Sequence, residues 1–479
     1  MSRLRRNTSK LATASAPRHQ TENPQPLAAV PNRNPIAKKT FVRLTLWPLV
    51  AATFFMVSGG TYGTEEIVHG AGYGRAILIL LLTPLLWSLP TAFMIGELSS
   101  ALPYEGGYYA WVRRAMGNFW GFQEAWLSLV ASIFDMAIYP TLFVAYLTRL
   151  FPWFAVNYRG VMVGLAVVIA CALLNIAGVK VVSTSSLWLF FALSAPFALV
   201  VMLSPLKYGG LFHAVTAPTT SRVDLIGGLL ICMWNYMGWD NASTIATEVE
   251  RPQRTYPRAM LAAVIIVALS YIVPVAAVWM TRLPAGAWET GSWADIAGLL
   301  GGPLLRIALV IGGMVSAFGM FNALVMSYSR LPLAMAQDGM LPSIFGKLNR
   351  RRAPWVAILA LAIGWACCLG LGFERLVTID ILIYGASLTL EFLALVVLRI
   401  REPQLKRPFR VPGGMFGAMA VGVTPVLLLG FDLVRSQTEQ VWGMSSFALG
   451  AIVIATGVLV YVLKQTLKPA GWTLPEPAA

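Results

Sequence analysis

Apolar stretches of about 20 residues, the length needed to cross a hydrocarbon core, recur along the whole chain. They fall near 43–68, 75–102, 118–149, 159–177, 181–204, 223–248, 258–281, 303–332, 354–372, 376–400, 412–434 and 441–464. Each is bounded by Gly, Pro or charged residues, and none alternates with the period of a membrane strand. The pattern predicts an all-α integral membrane protein with twelve transmembrane helices. Two of the twelve are interrupted. The first breaks at "VSGGTYGTEEIVHGAG", residues 57–72, and the sixth at "CMWNYMGWDNASTIATEVE", residues 232–250. A Gly inside a helix costs roughly 1 kcal/mol relative to Ala, and a charge at the bilayer centre costs at least about 2.5 kcal/mol. Non-helical backbone at that depth persists only where it is buried in protein or lines a wet cavity.

The breaks lie five spans apart. That spacing predicts two repeats, 43–204 and 223–400, entering the membrane from opposite sides as a 5+5 inverted repeat, with broken helices 1 and 6 meeting at a midplane site. Residues 401–479 would add helices 11 and 12 and a short cytoplasmic tail. Residues 1–42 are polar and basic and read as a disordered cytoplasmic N-terminal tail, without the apolar core of a signal peptide.

The 479 residues are 57% hydrophobic and 12% charged, with a net charge of +15. The basic residues need no nucleic-acid partner. With both termini inside, clusters such as Lys38–Lys39, Arg113–Arg114, Arg251/Arg254/Arg258, Arg350–Arg351–Arg352 and Lys406–Arg407 all fall on the cytoplasmic face of the bilayer. Cys171, Cys232, Cys367 and Cys368 all lie within spans, which points to buried packing rather than disulfides or a metal site. The three histidines, His19, His69 and His213, form no ligand set. No HExxH, P-loop, GxGxxG or paired catalytic constellation appears, so neither enzyme chemistry nor a cofactor is implied.

The blocks "VSGGTYGTEE", "GELSSALPYEGGYYAWVRRAMGNFWGFQEAW", "NYMGWDNASTIATEVERPQRTYPRA" and "MAQDGMLP" resemble the amino acid–polyamine–organocation superfamily. "FDMAIYP" and "LIYGASLTLEFLALVVLRIREP" are similar to its polyamine-uptake branch, neighbour of the L-type amino-acid transporters. The resemblance covers roughly residues 43–415. It implies a LeuT-like fold in the plasma membrane, alternating access and secondary active transport, often proton-coupled. The lysine that some bacterial relatives carry midway along span five is absent here, where Leu193 stands.

The candidate site collects at the breaks. Ser58, Gly59, Gly60 and Gly63 free backbone polar groups for a ligand. Glu65 and Glu66 either cap the outgoing half-helix or face that ligand, and Asp240 has the same two readings where span six restarts. Asp135, mid-span in "ASIFDMAIYP", is far from any helix end and reads as functional. Tyr62, Tyr139, Trp234, Tyr236, Trp239 and Tyr384 offer faces for cation–π contact, each worth about 0.5–2 kcal/mol. So many acids would repel a simple carboxylate, which favours a polyamine or a cationic amino acid. Asp135 and Glu66 are the proton-carrying candidates; sodium, held by backbone carbonyls, stays open. Exchange of neutral amino acids is the alternative, with Glu65 and Glu66 turned away from the site. Glu97, Glu124 and Glu391 are expected to pair with inner-face arginines, and Glu248 and Glu250 with Arg251 and Arg254.

Overall fold

The computed structural model describes residues 44–104, 106–177, 185–208, 224–281, 283–435, 440–441 and 443–467. The tails predicted at 1–42 and beyond 467 lie outside them, as do His19 and His213. The described chain is helical, apart from a two-stranded ribbon pairing Gln440–Val441 with Met444–Ser445 and one isolated bridge.

The first span is two pieces, α1 (Leu46–Val57) and α2 (Glu65–Ala71). α3 (Tyr73–Thr83) passes through a π-helical turn at Pro84–Ser88 into α4 (Leu89–Ala101). The short α5 (Gly107–Met116) precedes α6 (Asn118–Leu150), then α7 (Arg159–Ile176) and α8 (Ser185–Tyr208). α9 (Leu225–Asn235) stops at the second break and continues as a 3-10 helix, Trp239–Glu248. α10 (Pro252–Trp279), α11 (Ser292–Gln337), α12 (Trp355–Cys367), α13 (Phe373–Arg401), α14 (Gly414–Arg435) and α15 (Ser446–Leu467) complete the chain. Among the described residues nine helices are long and apolar enough to cross a membrane, while α1 and α12 are shorter apolar helices.

α6 and α13 are the most buried of the long helices, and α8, α14 and α15 among the least. The outer helices present Leu206, Phe416 and Leu427 outward, as lipid-facing positions do. All four cysteines are free; Cys367 is exposed, against the expectation of burial, because it lies at the end of the peripheral α12.

At one end of the bundle a buried carboxylate ties three segments together. Glu97 of α4, fully buried, accepts from Arg399 of α13 through Nε at 2.8 Å and also through Nη2. Arg407 Nε stands 3.3 Å from the same carboxylate, and the Val411 backbone N–H donates to it at 2.7 Å. Beside this cluster Arg114 clamps Glu402 with two nitrogens at 2.9 and 2.8 Å, and that clamp holds the Glu402 carboxyl below its ordinary range. Glu97 thus has the arginine partners the sequence predicts, and Glu250 lies 3.8 Å from Arg251.

Removing one partner from such a cluster leaves a buried charge uncompensated, which typically costs about 3–5 kcal/mol. Glu97→Gln is therefore expected to lower the unfolding temperature in detergent markedly. An unchanged unfolding temperature would contradict the role assigned to this carboxylate.

Candidate functional site

The two breaks pack on each other. Gly60 and Gly63 both take φ of +91°, and Gly238 takes +86°, a region that side-chain-bearing residues rarely adopt. A Cβ on Gly238 would stand 2.8 Å from the Met56 carbonyl at the end of α1, so the second break needs glycine for close approach as well as for conformation. The chain just ahead of α1 meets the end of the 3-10 helix, with Leu44 bridged to Val249 and the Glu250 N–H donating to Leu44 O at 2.9 Å.

Most of the backbone groups released by the breaks find side-chain partners. Asn235 Nδ2 donates to Gly63 O at 3.1 Å, Tyr271 Oη to Asn235 O at 2.7 Å, and Trp293 Nε1 to Thr61 O at 3.1 Å. Tyr236 O accepts from both Trp87 Nε1 (3.1 Å) and Trp239 Nε1 (2.7 Å). Ser316 Oγ reaches Gly59 O at 2.5 Å, and Ser58 Oγ accepts from the Gly60 N–H at 3.1 Å. Each contact replaces a hydrogen bond that lipid cannot supply.

Glu65 belongs to this scaffold. Its carboxylate accepts from the Gly63 N–H at 2.7 Å, the Gly291 N–H at 3.1 Å and the Tyr146 hydroxyl. Both backbone groups lie just ahead of a helix, Gly63 before α2 and Gly291 before α11, so this carboxylate satisfies the backbone of the break and of the turn beside it. Glu66 likewise accepts from Thr290, through N–H at 2.8 Å and Oγ1 at 2.6 Å. Tyr236 and Trp239 are fully buried with their polar atoms on backbone, Tyr236 Oη donating to Leu80 O at 2.9 Å. Tyr62 donates to Leu309 O at 3.1 Å and meets the Tyr146 ring edge-on.

A different set converges deeper in the bundle. Asp135, buried on α6, accepts from Tyr139 (3.0 Å), Trp234 Nε1 (3.4 Å) and Tyr328 (3.1 Å), neutral donors from α6, α9 and α11. Asp240 accepts from the Tyr384 hydroxyl at 2.5 Å. Asp380 of α13 is buried beside both, and its Oδ2 has no hydrogen-bond partner. Among the described residues no arginine or lysine acts on any of these three acids. Three carboxylates from three elements thus share one buried region with no counter-ion among the described residues. A small cavity adjoins it, lined by Ser58, Gly59, Tyr62, Trp234, Ser316 and Met320 among others, and Trp234 forms the wall common to both. No group of three His, Cys, Asp or Glu side chains among the described residues converges closely enough to hold a metal ion.

The sequence-predicted residues therefore divide. Ser58, Gly59, Gly60, Gly63, Glu65, Tyr236 and Trp239 build or satisfy the breaks, while Asp135, Tyr139, Trp234, Asp240 and Tyr384 surround the acids. Glu66 lies apart, at the turn before α11. Asp380, Tyr328, Tyr271 and Ser316 escaped notice in the sequence. Asp380 carries the same signal as Asp135, a lone acid in an apolar run ("LVTIDILIY"), and an inventory of every intramembrane carboxylate would have found it. Glu124 and Glu391 do not meet arginines. Glu124 Oε1 accepts from Ser128 (2.8 Å) and Ser387 (3.1 Å), and neither Glu391 oxygen has a partner, because the arginines of this end are held by Glu97, Glu402 and Asp338.

The sequence profile of the amino acid permease family matches residues 50–458. A polyamine transporter of Arabidopsis thaliana is 35% identical over 431 residues, covering 90% of this chain and 87% of its own. A polyamine transporter of Oryza sativa subsp. japonica is 34% identical over 412 residues, with 86% and 77% covered. A serine/threonine exchanger of Bacillus subtilis is 26% identical over 386 residues, with 77% and 84% covered. The profile spans both backbone breaks and every acid between them, and the chain belongs to the amino acid permease family.

Proposed function

We propose that the protein is a secondary active transporter that imports polyamines such as putrescine and spermidine, or related cationic amino acids, by proton symport with alternating access. One observation carries the reading: Asp135, Asp240 and Asp380 are buried near one another, the first two accept from neutral donors, and among the described residues no arginine or lysine acts on the three. Burying a carboxylate without a positive partner is costly, and an ammonium ligand supplies that partner in the bound state. Tyr139 and Trp234, whose ring centroids are 6.2 Å apart beside Asp135, offer faces for the same cation. Two relatives at 34–35% identity carry the name polyamine transporter, which favours the same substrate class.

In this reading α1 with α2, and α9 with its 3-10 continuation, are the two broken helices of a LeuT-like 5+5 inverted repeat. Together with α12 they raise the count of spans to twelve. The ten-helix core spans 43–400, with α14 and α15 as the additional pair. Both termini are cytoplasmic and the membrane is the plasma membrane, with the Glu97 cluster at the inner face. A neutral amino acid fits less well, since its carboxylate would face three acids.

Uptake of labelled putrescine and spermidine into liposomes under an inward proton gradient tests the substrate class. Excess leucine is expected to leave this uptake intact. Leucine-sensitive uptake, or leucine exchange with no polyamine uptake, would sink the polyamine reading.

A hydrogen bond to a charged group is worth about 1.5–3 kcal/mol. Asp135→Asn is thus expected to lower kcat/KM for putrescine by roughly 10- to 100-fold. Tyr328→Phe, which removes one neutral donor to that carboxylate, is expected to cost roughly 2- to 10-fold. Wild-type kinetics in Asp135→Asn would remove this residue from the site.

A further inference from the structure

The facing sides of α6 and α13 carry acids at a matched interval. Asp135 and Glu124 are eleven residues apart on α6, and Asp380 and Glu391 eleven apart on α13. At 1.5 Å per residue each pair spans roughly 16 Å. Asp380 interacts electrostatically with Asp135, and Glu391 with Glu124, so the helices run antiparallel and the acids form two levels. Ser128 and Ser387 join the helices at the second level, 2.7 Å apart. Asp240 is within electrostatic reach of both levels.

The second level is built unlike a structural lock. Glu391 is fully buried and both its oxygens lack a hydrogen-bond partner. Glu124 Oε2 is also unpartnered, and the fully buried Tyr108 hydroxyl lies beside Ser128 and within electrostatic reach of both acids. The titratable groups that act on Glu391 among the described residues are Glu124 from α6 and Asp240 from the 3-10 helix, with Tyr108 of α5 and Tyr384 of its own helix alongside. None is a cation. Glu97, at the same end of the bundle, shows what a structural carboxylate looks like here: two arginines and a backbone N–H.

A buried carboxylate with neither donors nor counter-charge is not stable as an anion. The small cavity reaches the first level through Trp234, which donates to Asp135, and neither Glu391 nor Glu124 is among its lining residues. A proton needs no room.

We propose that Glu391, paired with Glu124, carries the coupled proton, at a station separate from the ligand's carboxylates at Asp135, Asp240 and Asp380. The proposal rests on the symport reading. With the Glu97 end closed, Glu391 is the neutral acid. When that end opens, water reaches the carboxyl, its O–H bond breaks, the proton passes to water and a solvated carboxylate remains. The end then closes on the empty carrier, and once the opposite side has opened, a proton from that side, by way of Asp240, restores the O–H bond before the next ligand is carried across. One proton crosses per ligand, and nothing is oxidised or reduced.

The test uses the full chain in liposomes loaded with a pH-sensitive dye, comparing wild type with Glu391→Gln and Glu124→Gln. Three quantities are read: putrescine counterflow at equal pH, gradient-driven putrescine accumulation, and lumenal acidification on putrescine addition. Glu391→Gln is expected to keep counterflow within about twofold, as a neutral isosteric change should. It is expected to lose accumulation by about tenfold for each pH unit of gradient, the factor that one proton per ligand supplies, together with the acidification. Glu124→Gln is expected to shift the pH dependence of accumulation without abolishing counterflow. Unchanged acidification in Glu391→Gln overturns the assignment, and so does loss of counterflow in a variant that still elutes as a folded monodisperse species.

Infrared difference spectroscopy on wild type covers the case in which the variants do not fold. A protonated carboxyl C=O band that appears and disappears with putrescine and pH is expected, and its absence overturns the proposal. Wild-type putrescine uptake without proton movement overturns the proton station alone. Absence of any polyamine uptake instead overturns the substrate reading, while absence of a pH-dependent infrared band still overturns the proton station.

Discussion

The structure depends on one requirement: backbone that leaves the helix inside a membrane must find its hydrogen-bond partners within the protein. The two breaks meet it jointly. Gly238 lies against the Met56 carbonyl at the first break, Asn235 from the second holds Gly63 O, and indole and phenol donors from the surrounding helices take the freed carbonyls. Glu65 serves the same end by capping Gly63 and Gly291 at once. A carboxylate that looks anomalous in an apolar span is thus a hydrogen-bond acceptor for the backbone where the helix stops.

With the breaks satisfied internally, the electrostatics of the core is left to other residues. Asp135 and Asp240 accept from phenols and an indole, Asp380 lies buried near them with Oδ2 unpartnered, and among the described residues no arginine or lysine acts on the three. The arginines are concentrated elsewhere, on Glu97, Glu402 and Asp338 at one end and on Asp295 and Glu289 near the start of α11. In the proposed reading this partition leaves a cationic ligand, rather than the protein's own side chains, as the counter-ion of the core.

Much of this was legible in the sequence. Hydropathy located the helices, and the glycines with their flanking polar residues located both breaks, because each is a local departure from a strong periodic signal. What a side chain faces was less legible. Tyr236 and Trp239 read as ligand contacts and Glu65 as either a cap or a ligand contact; their polar atoms meet backbone and, for Glu65, the Tyr146 hydroxyl as well, a division that depends on helices distant in sequence. Glu124 and Glu391 read as partners for arginines because both occur near one end of the bundle. Their pairing across α6 and α13 follows from antiparallel packing, which no single span encodes. Asp380 was passed over among the β-branched residues around it, although its isolation is the same signal that marks Asp135.

The central claim is that the core acids form a site for an ammonium ligand. Titration calorimetry of the purified protein with putrescine and with leucine tests it most directly. The account predicts saturable putrescine binding that leucine does not displace. Leucine binding in the absence of any putrescine binding would contradict it, and would return the three aspartates to a purely structural role.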